Sequence, residues 1–193
     1  KWTERFGGGQ YIHLEPCERA GFARMMQGSQ FFREIGENCW DVEVRKREYA
    51  AFETQVQVVC TIPVMFNYDA PLAHAQDISG FLNGHISALV ANDPRHYAGL
   101  CTVPMQDTDT AIRELERAKD AGHLGVQIGS NINGLNLSEE RFFPFFEACE
   151  RLGMAVMIHP WDMMGKEQME KYWLPWLVGC LLYTSPSPRD PNR

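Results

Sequence analysis

A chain of 193 residues with 45% apolar and 22% charged side chains has the make-up of a folded domain with a real core, and its composition excludes disorder. The formal charge of −7 argues against nucleic acid or an anionic membrane surface as partner. No apolar run reaches the roughly 18–20 residues needed to span a bilayer, and the opening residues do not read as a secretory signal.

Taken in chain order, the first distinctive stretch is "GSQFFREIGENCWD" (28–41), which reads as a loop ahead of the first helix. It is too rich in aromatics to be a plain solvated loop. Arg33, set among aromatics and acids, could clamp a carboxylate bidentately or simply pair with Glu34 or Glu37. "DVEVRKREYAAFE" (41–53) is helix-compatible, with Val44, Tyr49 and Phe52 as its apolar points. "VQVVCTIPVMF" (56–66) reads as a strand closed by Pro63. In "AQDISGFLNGHISALVAND" (75–93), Ile78, Phe81, Leu82, Ile86, Leu89 and Val90 recur at helical spacing. "HYAGLCTVPMQ" (96–106) is a short strand broken by Pro104.

"DTDTAIRELERAKDAG" (107–122) is a helix with polar caps at its start and Gly122 past its end. "LGVQIG" (124–129) is a strand. "SEERFFPFFEACERLG" (138–153) is a helix in which Pro144 is expected to introduce a kink. "MAVMIH" (154–159) is a strand that stops on His159. From Cys180 the text becomes "CLLYTSPSPRDPNR", which fits neither helix nor strand. It looks like one reading frame of a transposase sequencing adapter, so residues 180–193 are expected to be a sequencing scar and 1–179 a fragment of one domain.

Four near-continuously apolar strands alternating with helices imply an α/β parallel sheet covered on both faces. No GxGxxG follows a strand, which removes the main support for a dinucleotide-binding sheet and favours a (β/α) barrel. A whole barrel takes about 250 residues, so this chain is expected to be a partial one. Six cysteines are present, but Cys60, Cys101 and Cys149 sit inside strand- or helix-like runs and no CxxC occurs. Buried thiols of a cytoplasmic protein are the expectation.

Barrel chemistry sits at the carboxyl ends of the strands. Here those ends are Thr61-Ile62-Pro63, Thr102-Val103-Pro104, Gln127-Ile128-Gly129 and His159-Pro160-Trp161. Only His159 offers a metal ligand or general base, and the competing reading is a capping histidine bonded to a carbonyl. His85 falls on a helix, His96 and His123 precede strands, and His13 and His74 fall in loops. "WDMMGKEQMEKYWLPWLVG" (161–179) carries Trp161, Trp173 and Trp176, a plausible pocket wall or oligomer interface. Met163, Met164 and Met169 read as packing.

Together, "ENCWD", "TIPVMF", "TVPMQ", "GVQIG", "HPWDM" and "KYWLPWLVG" closely resemble the 2-amino-3-carboxymuconate-6-semialdehyde decarboxylases of the amidohydrolase superfamily. The likeness runs from about Arg5 to Gly179; "HPWDM" with "KYWLPWLVG" is specific, whereas "TVPMQ" and "GVQIG" are shared more widely. The resemblance implies a (β/α)8 barrel of which strands two to five are here, and one divalent metal, usually zinc. His159 matches the family's strand-five metal ligand and Arg33 its carboxylate-binding arginine. Met163 and Trp176 match positions lining the pocket, with Trp161 beside them. The family's HxH would precede Lys1, and its aspartate ligand and acid/base histidine would follow Gly179. The implied partners are a small-molecule carboxylate and a second copy in a homodimer, and the chain by itself is expected to be inactive. Rival readings are a hydroxybenzoate decarboxylase, a lactone hydrolase of similar fold, and a non-catalytic barrel that assembles through its tryptophan-rich face.

Overall fold

The computed structural model describes residues 2–52 and 56–163, together with 165, 167 and 174. The expected scar at 180–193 lies outside the described residues. The chain divides into two compact units, Lys1–Val58 with Ala88–Ala98, and Val59–Ser87 with Gly99–Arg193.

The first unit opens with a single helical turn, α1 (Trp2–Arg5), followed by an antiparallel meander of β1 (Ile12–Pro16), β2 (Phe22–Gln27) and β3 (Gln30–Gly36). This corrects the sequence reading of 28–41 as a loop, and moves His13 from a loop onto β1. The β2–β3 turn is the two-residue Gly28–Ser29 between the paired Gln27 and Gln30, with Gly28 at φ 59°, a conformation that only glycine takes without cost in a tight hairpin. A bulge between Met25 and Met26 breaks the two-residue alternation, so both methionines are buried. Helix α2 (Val42–Tyr49) follows, capped by Asp41, whose carboxylate accepts the N–H groups of Glu43 and Val44 at 2.8 and 2.9 Å.

The expected strand at 56–66 shortens to β4 (Gln57–Val59), because Pro63 opens a 3-10 turn, Pro63–Met65. Helix α3 (Leu72–Asn92) begins before the periodic pattern does and takes in His74, which the sequence reading left in a loop. Then come β5 (Tyr97–Cys101), α4 (Thr108–Asp120), β6 (Gly125–Gly129), the short hairpin β7 (Asn131–Ile132) and β8 (Leu135–Asn136), α5 (Phe143–Leu152) and β9 (Ala155–His159). The sheet runs β4-β5-β6-β9, and β5, β6 and β9 are parallel. Every residue of β6 is buried, as expected of a strand covered on both faces. Pro144 sits in the first turn of α5, after a 3-10 turn at Glu140–Phe142. It does not kink the helix, because a first-turn proline lacks only an N–H that would have had no partner. The core gathers Val103, Met105, Leu115, Ile128, Phe142 and Phe145 between sheet and helices, each with no exposed surface. Met157 and Ile158 on β9 stay 41% and 43% exposed. Four strands alternating with helices in this order form a partial (β/α) barrel.

Of the cysteines, Cys101 and Cys149 are buried free thiols as expected, Cys60 is half-buried and Cys39 is exposed. No helix among the described residues is long and apolar enough to cross a membrane.

One buried histidine makes the fold sensitive to pH. His123 is 2% exposed, and its Nε2–H donates to the Asn83 carbonyl at 3.1 Å with Ser87 Oγ also at 2.9 Å. Its Nδ1 faces Gly99, where an added Cβ would lie 3.1 Å away, and has no hydrogen-bond partner among the described residues. Burial holds the imidazole below its ordinary value of 6.5, with the Asn83 hydrogen bond opposing. The unfolded chain therefore takes up a proton before the folded one does. Stability is fully present above about pH 6.5 and falls as pH drops from there toward the depressed native value. Urea midpoints of the full-length protein should fall between pH 7 and pH 5, less so for His123→Asn. A slope unchanged by the substitution would rule out this source.

Candidate active site

Strand β9 ends where its sequence says it must. His159 lies opposite Gly129 in the parallel register, its carbonyl accepts the Ser130 N–H at 3.1 Å, and Pro160 has no N–H with which to extend the ladder. The chain then leaves the sheet through Trp161 and Asp162. Val126, Ile128 and Val156 pack into or against the helix-covered core, so by strand alternation Gln127, Gly129, Met157 and His159 occupy the opposite face. That face corresponds to the barrel interior, and its polar groups are short of partners. Among the described residues, Thr61 Oγ1, Thr102 Oγ1 and Gln127 Oε1 are buried and find no hydrogen-bond partner. All three belong to the strand ends picked out from sequence.

His159 is half-buried, and its Nδ1 lies 2.9 Å from the Pro160 carbonyl. A carbonyl only accepts, so Nδ1 carries the hydrogen, and the tautomer that ligates a metal then has its lone pair at Nε2. The capping interaction proposed as the alternative is thus present, and it leaves the imidazole as a metal site needs it, with one nitrogen fixed by a hydrogen bond and the other free to ligate. The fit to a divalent ion extends to this one donor. Among the described residues no group of three or more His, Cys, Asp or Glu is placed to hold a metal, and a single imidazole does not retain a catalytic ion.

Trp161 packs partly buried against the core, and Met163 is 3% exposed, so both close on the loop that follows His159. Trp176 lies outside the described residues. Arg33 belongs to the first unit, where it sits exposed on β3 opposite Met25. Its guanidinium lies over the Phe32 ring at 5.0 Å; among the described residues it pairs with neither Glu34 nor Glu37. A stacked, unpaired guanidinium keeps its forked donors available.

Sequence reading missed the residues that hold the loop. Ser130 and Asn131 are buried, and Asn131 Nδ2 donates to the carbonyls of Trp161 and Asp162 at 3.2 and 3.0 Å. Asn131 opens the β7–β8 hairpin, whose turn residues Asn133 and Gly134 have φ of 51° and 79°. The Asn-Gly pair between apolar residues in "NINGLN" was the available signal. The hairpin is fixed in turn by Tyr68, whose carbonyl accepts from Asn133 Nδ2 at 2.7 Å and whose hydroxyl accepts the Gly129 N–H at 3.1 Å.

The comparisons agree with a partial parallel barrel. The sequence model of the amidohydrolase family matches residues 57–183. The chain belongs to the amidohydrolase family. The 2-amino-3-carboxymuconate-6-semialdehyde decarboxylase of Dictyostelium discoideum is 47% identical over 180 residues, which make up 91% of this chain and 49% of that protein. A 5-carboxyvanillate decarboxylase from Novosphingobium aromaticivorans, crystallised with manganese and a hydroxymethoxynitrobenzoic acid, is 28% identical with a TM-score of 0.60, over 64% of this chain and 36% of that one. The apo IDCase of Metarhizium anisopliae shares the fold with a TM-score of 0.67 at 15% identity, over 90% of this amidohydrolase chain and 52% of its own. The chain spans about half the length of the relatives it matches.

Proposed function

We propose that the full-length protein catalyses the non-oxidative decarboxylation of 2-amino-3-carboxymuconate 6-semialdehyde. The observation that carries this reading is the 47% identity over 180 residues to a decarboxylase of that name; the His159 geometry supports it. His159 Nε2 would be one ligand of a divalent ion, zinc in our reading. When bound, that ion would supply Lewis-acid polarisation of the substrate.

The other assigned side chains bind and shield. Arg33 would hold a substrate carboxylate through its planar fork, and Trp161, Met163 and Trp176 would exclude water from the reacting carbon. The proton that replaces carbon dioxide would come from a histidine outside this chain, so the chain by itself is inactive in this account. We read the full-length protein as a cytoplasmic homodimer with "KYWLPWLVG" among its contacts, a segment of which Leu174 alone is among the described residues.

Arg33→Ala in the full-length enzyme should raise KM about 10–100-fold with a smaller change in kcat, the loss of one charge-assisted hydrogen-bond pair. Arg33→Lys should recover only part of it, because an ammonium lacks the fork. Unchanged steady-state kinetics for Arg33→Ala would remove this residue from the site.

The 28% identity to a 5-carboxyvanillate decarboxylase favours a second reading, decarboxylation of a hydroxylated benzoate. Assaying both substrate types side by side for released carbon dioxide separates the two.

A further inference from the structure

We infer that Asn131, backed by Ser130, is the positioning residue that holds the loop behind His159 in the shape metal binding needs; this rests on reading His159 as a ligand. Past the last ladder bond, from Ser130 N–H to the His159 carbonyl, the sheet no longer holds the chain. Pro160 offers no N–H, and Asp162 turns the chain through the left-handed region at φ 49°, which aspartate adopts more readily than most non-glycine residues.

The restraint comes from the neighbouring strand end. Asn131 is 4% exposed, and both bonds from its Nδ2 are spent on this loop, to the Trp161 carbonyl at 3.2 Å and the Asp162 carbonyl at 3.0 Å. Its Oδ1 accepts the Gly134 N–H at 3.0 Å. The amide can therefore sit only one way round, since a flip would set Oδ1 against two carbonyl oxygens. Ser130 Oγ adds longer contacts of 3.4 Å to the Trp161 N–H and carbonyl.

The bracket is anchored in turn. Tyr68 holds the hairpin through Asn133 and the strand through Gly129, and its ring stacks on buried Phe66 at 5.2 Å.

The consequence reaches the imidazole through the backbone. The carbonyl that receives His159 Nδ1–H belongs to Pro160, next to the peptide that Asn131 and Ser130 grip. Fixing that carbonyl fixes the tautomer of His159 and the angle of Nε2, and outer groups that orient a metal-bound histidine typically govern affinity about 10–100-fold. Asn131 touches no reacting atom; it acts through Trp161, Asp162 and Pro160.

The test is Zn²⁺ affinity of the full-length protein by chelator competition, well below the melting temperature, alongside the Tm of the metal-free protein. Asn131→Asp keeps the size and the Gly134 bond but turns a carboxylate on two carbonyls, and is expected to weaken Zn²⁺ binding about 10–100-fold. Asn133→Ala, which cuts only the hairpin's bond to Tyr68, should lower Tm while leaving Zn²⁺ affinity within about twofold; a merely structural role for Asn131 predicts that Asn131→Asp behaves the same way. Should Asn131→Asp fail to fold, Ser130→Ala decides, with weaker Zn²⁺ binding expected and unchanged binding overturning the inference. His159→Ala separates the two layers of the argument. If it loses Zn²⁺ while Asn131→Asp binds as wild type, the positioning role is wrong; if it binds Zn²⁺ as wild type, the metal reading is wrong and the inference goes with it.

Discussion

His159→Ala in the full-length protein is expected to lower kcat/KM for decarboxylation about a thousandfold or more, while the metal-free Tm stays near that of the wild type. The large effect follows from what the side chain offers. With Nδ1 donated to the Pro160 carbonyl, Nε2 is the atom left for a ligand, and a lost ligand forfeits Lewis-acid stabilisation of several kcal/mol, each 1.36 kcal/mol being tenfold in rate. The small effect on Tm follows from position. His159 is half-buried at the end of the outermost described strand, and the imidazole contributes little to the core. The control is His96→Ala. His96 is exposed at the head of β5, with Nδ1 donating to Asp93 Oδ1 at 2.8 Å, and its loss should leave kcat/KM within about twofold. Equal losses for the two variants would mean that His159 has no special place in the chemistry.

Asn83→Ala is expected to destabilise the fold by about 3–5 kcal/mol, because it strands several buried polar groups at once. The register between β5 and β6 runs Leu100↔Gly125 and Cys101↔Val126, and the next residue on β5 is Thr102. There the Asn83 amide stands in for a neighbouring strand. Its Oδ1 accepts the Thr102 N–H at 2.8 Å and its Nδ2 donates to the Thr102 carbonyl, also at 2.8 Å. The same Nδ2 reaches Glu114 Oε1. Glu114 is 6% exposed and is held from the other side by Arg117, through Nε at 2.8 Å and Nη2 at 2.6 Å. Alanine at 83 removes the partners of a buried backbone N–H and carbonyl and weakens the setting of a buried carboxylate. By contrast, Arg151→Ala breaks an exposed pair with Glu116 at 2.9 Å and should cost under about 1 kcal/mol. Urea unfolding of the full-length variants measures both, and a loss at Asn83 no larger than at Arg151 would contradict this account of the network.

These two residues mark how far the sequence could be read. Local punctuation was legible. Asp107 caps α4 by accepting the Thr110 N–H at 2.8 Å, and Gly153 ends α5 at φ 61°, as polar starts and glycine ends announce. The end of β9 at His159 was legible as well, because an apolar run that stops on His-Pro is visible in one line of text. The antiparallel meander was not, since the Met25/Met26 bulge erases the alternation that marks a strand. Pro144 was misjudged because its meaning depends on whether the helix begins before or after it, and the 3-10 turn at Glu140–Phe142 settles that only in three dimensions. Asn83 and Ser130 carry no local signature, and the Asn-Gly turn in "NINGLN" marks the hairpin that Asn131 opens but not the bonds that Asn131 makes. Each works through partners 19 to 31 residues away, and such pairings are made by the packing of the sheet against its helices.

The most direct test of the proposed activity is carbon dioxide release from 2-amino-3-carboxymuconate 6-semialdehyde by the full-length protein, loaded with a divalent metal and then stripped with a chelator. The account predicts stoichiometric release by the loaded protein, its loss on stripping, its return when metal is restored, and no restoration in His159→Ala. A loaded, folded protein that releases none from this substrate, or that releases it equally well when stripped, would contradict it.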